Sequence, residues 1–168
     1  VVNKPIRWLL APPSQIEDAI LAAYSREAVG FLQQFGAASG AGALDDNTIV
    51  RLARELMTRA VRARASDLHV QPYLGTTVVR IRVDGILRRL TVLPDAVAGM
   101  LIRHIKARGS MDPTTTLVPQ DGRMTLVVDG RDYALRLSTL PVSGGERLVI
   151  RDSSGRQRFG LDAYRVDE

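Results

Sequence analysis

The stretch Val79-Arg80-Ile81-Arg82-Val83-Asp84-Gly85-Ile86-Leu87-Arg88 decides the fold class. Val79, Ile81 and Val83 alternate with Arg80 and Arg82. That period of two belongs to a half-buried antiparallel strand, because successive side chains leave opposite faces of the pleat. Asp84-Gly85 supplies the turn, since glycine tolerates the positive φ that a type I′ hairpin demands. Ile86 to Val92 then returns as the partner strand. The same grammar recurs downstream: Gly122 to Val128, the turn Asp129-Gly130, and Arg131 to Leu140 form a second hairpin. Glu146 to Asp152 is a last strand.

Helical spacing flanks and interrupts these strands. Asp45-Asp46 open an amphipathic helix, where carboxylates suit the exposed amides and the helix dipole. Ile49, Leu52, Ala53, Leu56 and Ala60 make its buried stripe, and Arg51, Arg54, Arg62 and Arg64 lie mostly off it as a solvated face. Pro94-Asp95 open a second helix, with Val97, Met100, Leu101 and Ile105 on one side, and Gly109 ends it. The fold class is therefore α+β, an antiparallel sheet of about five or six strands covered by two helices. Ahead of it, Lys4 to Leu10 reads as a short strand and Gln15 to about Tyr24 as a helix. That helix is expected to carry a capping box at Ser14 and Glu17 and an apolar face of Ile16, Ala19, Ile20 and Ala23. This strand and helix read as the remnant of another domain. Between Gly36 and Ala43 the chain is glycine, alanine and serine only, a flexible linker by composition. The expected division is residues 1–35, a linker at 36–45, the main domain at 46–152, and a linker at 153–168. Within the last stretch, Phe159 to Val166 reads as the mouth of a further domain.

Composition sets the outer bounds. The chain has 168 residues, 45% of them hydrophobic, enough for one globular core. No apolar run approaches the ~20 residues that span a bilayer, so no membrane insertion is expected. There is no cysteine, hence neither a disulfide framework nor a thiolate metal site. The formal charge is +5, but basic and acidic residues are interspersed, and only three Phe, four Tyr and one Trp are available to stack on bases. That reads against a nucleic-acid binder. His69 and His104 are the only histidines, and their separation matches no metal-ligand spacing, so no metal site is expected. His69 falls on the polar face of a strand, in a structural role. No G-x-x-x-x-G-K-[ST] phosphate loop is present, and neither Lys4 nor Lys106 follows a glycine-rich turn.

Five signatures stand in one order: Ala65-Ser66-Asp67-Leu68-His69-Val70-Gln71-Pro72, then Arg80 to Arg88, Pro119-Gln120-Asp121-Gly122-Arg123, Leu135-Arg136-Leu137-Ser138-Thr139-Leu140-Pro141, and Gly145-Glu146-Arg147-Leu148-Val149-Ile150-Arg151. Together they resemble the region preceding the motor domain in the type II secretion and type IV pilus assembly ATPases, the general secretion pathway protein E-like family. The likeness is close over Asp46 to Arg151 and weaker over residues 1–24. It implies a PAS-like domain in a hexameric cytoplasmic ATPase, peripheral at the inner membrane, that powers pseudopilus assembly. The implied partners are the motor domain of the same and neighbouring subunits and the inner-membrane platform proteins. The implied ATP and Mg belong to the full-length protein, with no cofactor in this stretch, which is expected to be inactive alone. Two alternatives stay open: a type IV pilus extension ATPase, and a stand-alone PAS-like sensory or interaction domain.

The resemblance also names site residues. Two family arginines that approach nucleotide phosphates in trans look like Arg136 and Arg151, and Arg123 is a candidate interface residue. The competing reading makes Arg136 and Arg151 edge-of-sheet arginines in ion pairs, for instance with Glu146, and pairs Arg123 with Asp121 or Asp129. Gly122 reads as a turn residue. The chain departs from the family at Met111-Asp112-Pro113 and at Thr114-Thr115-Thr116-Leu117-Val118, where basic residues often stand.

Overall fold

The computed structural model describes residues 10–35, 45–73 and 75–153. In chain order the elements are α1 (Pro13–Gln33), α2 (Asp46–Arg62), β1 (Asp67–Tyr73), β2 (Thr76–Val83), β3 (Ile86–Pro94), α3 (Asp95–Arg108), β4 (Gln120–Val128), β5 (Arg131–Val142) and β6 (Gly145–Asp152). The strands form one six-stranded antiparallel sheet in the order β3-β2-β1-β6-β5-β4. The architecture is α+β, as the alternation and the two Asp-Gly turns require. In both turns the aspartate and the glycine take positive φ: 50° and 77° at Asp84-Gly85, 50° and 72° at Asp129-Gly130.

One face of the sheet is apolar and packs on α2 and α3. Leu68, Val70, Val79, Ile81, Leu93, Leu135, Leu137, Leu148 and Ile150 meet the stripe Ile49, Leu52, Ala53 and Leu56 of α2 and Val97, Leu101, Ile102 and Ile105 of α3. The α2 stripe is buried as its periodicity predicts. Asp45 caps α2, its carboxylate accepting from the Thr48 amide at 2.9 Å. A bulge between Val79 and Arg80 shifts the β2–β3 register.

The first helix departs from its sequence pattern. It runs on to Gln33, its N-cap is Pro12, and no side chain caps it, so the Ser14 capping box does not form. Ile16, Ala19 and Ala23 are exposed; burial belongs instead to Ala28, Phe31, Leu32 and Phe35 near its end. That end rests on α2, where Arg59 lies 5.3 Å over the Phe31 ring and bonds Glu55 at 2.6 Å. The body of α1 packs on β3, joined by a Glu27–Arg89 ion pair of 3.1 Å. The expected strand at Lys4 to Leu10, the linker at residues 36–44 and the tail at 154–168 lie outside the described residues, apart from Leu10.

Gly122 is not a turn residue. It sits inside β4 where the strand crosses the end of α3, and a Cβ there would collide with the Gly109 carbonyl and the Met111 side chain. The approach lets the Arg123 amide donate to the Gly109 carbonyl at 3.2 Å, tying strand to helix end.

A second tie lies deeper. Lys106, with no exposed surface, donates to Glu146 on β6 at 2.8 Å and to the Thr115 carbonyl at 2.6 Å. Gln120 donates to that same carbonyl at 2.9 Å. The ammonium thus joins α3, β6 and the loop before β4. Removing one partner of a buried pair strands the other charge, which costs about 3–5 kcal/mol, whereas an apolar pair of similar volume is often neutral. Glu146→Ala should therefore lower unfolding free energy in urea by about 3–5 kcal/mol, and Lys106→Met with Glu146→Leu should recover most of it.

Candidate functional site

The other face of the sheet carries charge. Register places Arg123 of β4 opposite Arg136 of β5, Arg136 opposite Arg151 of β6, Arg151 opposite Asp67 of β1, and Asp67 opposite Arg82 of β2. The three arginines named from sequence therefore form one cross-strand row, about 10 Å wide at the usual strand spacing. Two residues along, on the same face, Arg80 faces both His69 and Arg89. Arg147 completes the set, because residues two apart share a face.

Like charges directly opposed across an antiparallel pair are destabilising. Among the described residues, the row is relieved at Asp67. Asp67, 5% exposed, takes a hydrogen bond from the Arg151 Nε at 2.8 Å on one oxygen. Its other oxygen accepts from the Ser66 hydroxyl at 2.8 Å and lies 3.4 Å from the Arg82 Nε. Burial pushes the Asp67 carboxyl up, but the hydrogen bonds from Arg151 and Ser66 and the Arg151 charge outweigh it, so its pKa lies below the ordinary value. Arg136 and Arg123 are exposed, and their side chains make no hydrogen bond or ion pair with any described residue.

The expected ion pairs with Glu146 do not form. Glu146 points to the apolar side and is taken by Lys106, while Arg151 pairs with Asp67. Arg123 also lacks the pairs expected for it: Asp129 is bound by Arg62 of α2 at 2.8 Å, and Asp121 accepts from Ser138. Arg62 stays solvated, as expected of its helix face, and from there also pairs with the second hairpin. Arg136 lies in mid-strand, exposed on the face away from α2 and α3; Arg151 stands near the end of β6.

His69 is buried on the arginine face, and its Nδ1 lies 3.3 Å from an Arg147 terminal nitrogen. Burial holds its pKa below the ordinary value, with Arg147, Arg82 and Arg151 adding to this against the pull of Asp67. The ring is therefore neutral near pH 7. Arginine only donates, so Nδ1 accepts and the proton sits on Nε2. Among the described residues, no group of three or more His, Cys, Asp or Glu side chains is placed to hold a metal. A cleft of about 380 Å³ lies between α2, α3 and β4, lined by Val50, Ala53, Met57, His104, Arg108 and Leu126. It touches none of Arg123, Arg136 and Arg151 and holds no acid–base pair. The arginine face is the candidate site, and its chemistry is recognition of an anion, for which guanidinium offers fixed charge and a bidentate fork.

Much of the chain is similar to known proteins. The family described as Type II/IV secretion system protein matches residues 42–167. The chain belongs to that family. Type II secretion system protein E of Klebsiella pneumoniae is 43% identical over 107 residues, covering 64% of this chain and 22% of that protein. Type II secretion system protein HxcR of Pseudomonas aeruginosa is 40% identical over 118 residues, covering 68% of this chain and 25% of that protein. The X-ray structure of the Legionella pneumophila ATPase DotB superposes with a TM-score of 0.46 at 21% identity, over 62% of this chain and 28% of that one. The chain thus spans 22 to 25% of the length of these curated relatives. Among the described residues no helix is long and apolar enough to cross a membrane.

Sequence reasoning found Arg123, Arg136 and Arg151 through motifs but missed Asp67. Its signal is strand parity: counting back from Arg82 along β2 and through the connection to β1 sets Asp67 against it, on the arginine side. Because the Asp67 pKa is lowered on folding, its contribution is present above the unfolded value of about 3.9 and is lost as pH falls through the folded one. Arg151 is 67% exposed, so solvent screens much of the pair. Asp67→Asn should cost about 1–2 kcal/mol at pH 7. Thermal melts should show this gap closing below about pH 4.

Proposed function

We propose that this chain is the region preceding the motor in a hexameric secretion ATPase, and that its arginine face completes a nucleotide site on the motor domain of a neighbouring subunit. One observation carries the proposal: Arg123, Arg136 and Arg151 stand side by side, two of them without a partner among the described residues, on a sheet face that no described helix α2 or α3 covers. A fold that tolerates this repulsion retains a strongly positive surface, which a polyphosphate would relieve.

In this reading Arg136 and Arg151 donate to phosphate oxygens of ATP, and Arg123 flanks them at the subunit interface. Each guanidinium carries its charge at any physiological pH, so no proton need move on this chain. The contribution is electrostatic: preorganised donors stabilise charge that grows on the phosphoryl group and its leaving oxygen. Attack and magnesium binding fall to the motor part. No residue of this chain is assigned as base or nucleophile, and the chain alone is proposed to be inactive.

The rest of the reading follows the family. The ATPase drives pseudopilus assembly in type II secretion, docked at the inner membrane through platform proteins, with a pilus extension ATPase as the second reading. The domain is proposed to be PAS-like, with residues 1–35 closing a preceding domain, 36–45 and 153–168 serving as linkers, and 46–152 as the unit that packs on the motor.

In the full-length ATPase, Arg136→Ala and Arg151→Ala should each lower kcat more than nucleotide affinity, because the contact strengthens in the transition state. The expected loss is about 2–4 kcal/mol, roughly 30- to 1,000-fold in steady-state phosphate release. Arg88→Ala, one residue out of phase and hence on the opposite side of β3, should leave turnover unchanged. Wild-type turnover in both Arg136→Ala and Arg151→Ala hexamers would refute the assignment.

A further inference from the structure

We propose that Asp67 is the positioning residue of the arginine face, holding Arg151 by its Nε so that both terminal nitrogens are presented outward to a phosphate group. The proposal rests on the reading of this face as a polyphosphate site.

Asp67 stands at the start of β1, between Arg151 on β6 and Arg82 on β2. Its carboxylate is buried, while the Arg151 side chain is 67% exposed. A bond that engages only Nε, at 2.8 Å, fixes the plane of the guanidinium and leaves its two terminal nitrogens unused by any described residue. Two parallel donors at the free end of a fixed plane match two oxygens of one phosphate. The carboxylate is itself held: Ser66 donates to its second oxygen at 2.8 Å, and Arg82 lies 3.4 Å from the same atom. The backbone fastens this corner further, as the Ser66 amide donates to the Arg82 carbonyl at 2.8 Å and the Asp152 amide to the Ser66 carbonyl at 3.4 Å. Arg136 has no such support. It brings charge to the row but must be oriented by the ligand.

Positioning and electrostatics predict opposite signs. A carboxylate beside an anion site repels the anion, so a merely electrostatic or stabilising Asp67 would make Asp67→Asn bind polyphosphate more tightly. A positioning Asp67 makes the same variant bind more weakly, despite its added positive charge, because the Arg151 fork is no longer preorganised.

The test uses this chain and inorganic tripolyphosphate at fixed ionic strength. In the wild type, titration should move the Arg151 terminal-nitrogen NMR signals while its Nε–H signal stays at its hydrogen-bonded shift. Arg151→Ala should weaken binding about tenfold, the loss of one charged hydrogen-bond pair. Asp67→Asn should weaken it several-fold, and Asp67→Glu, which keeps the charge but displaces the oxygens, should weaken it likewise. Equal binding by wild type and Arg151→Ala overturns the phosphate reading, and this proposal with it. Weak binding by Arg151→Ala together with unchanged or tighter binding by Asp67→Asn or Asp67→Glu overturns the positioning role alone. So does an Arg151 Nε–H signal that moves with the terminal nitrogens in the wild type, a readout that needs no variant to fold.

Discussion

The pleat governs this molecule. In an antiparallel sheet the side chains of each strand alternate between two faces, and pairing forces residues opposite one another onto the same side. Once Leu68, Val70, Leu148 and Ile150 are committed to the core beneath α2 and α3, Asp67, His69, Val149 and Arg151 have no choice of side. The same commitment in β4 and β5 delivers Arg123 and Arg136 beside Arg151. The arginine row is thus assembled by register, and a slip of one residue in β4, β5 or β6 would send an arginine into the core. Burying such a charge unpaired is costly enough to police the pairing from within.

The core contains one charge where the pleat would have an apolar group. Glu146 lies on the same side as Leu148 and Ile150, and Lys106 meets it from α3. The pair fastens the helix to β6, and through the Thr115 carbonyl it also fixes the loop that delivers β4. The edge strand β4 therefore depends on a lysine buried in the helix before it. The close approach of Gly122 to the Gly109 carbonyl acts on the same junction from the other side. The position of Arg123 follows from both, through its own amide at the Gly109 carbonyl and at a distance from Lys106.

Much of this was readable from the sequence, for local reasons. Asp84-Gly85 and Asp129-Gly130 announce turns through backbone geometry, and Ile49 to Ala60 announces a helix through period. Motif order marked Arg136 and Arg151. What failed were readings that depend on distant parts of the chain. The apolar residues Ile16, Ala19 and Ala23 keep helical spacing but meet no partner surface among the described residues, whereas Phe31, Leu32 and Phe35 do. Gly122 follows an aspartate as the turn glycines do, so only the crossing of α3 reveals its purpose. The partners of Glu146 and Arg151 could not be read either, because a pair forty or more residues apart in sequence depends on sheet order.

The two edges of the sheet are treated differently. At β3 the helix α1 packs along the strand, but among the described residues nothing pairs with the outer side of β4. Open edges invite strands from other molecules. Two copies meeting antiparallel at β4 would satisfy each other's backbone about a two-fold axis, so association at that edge closes as a symmetric pair.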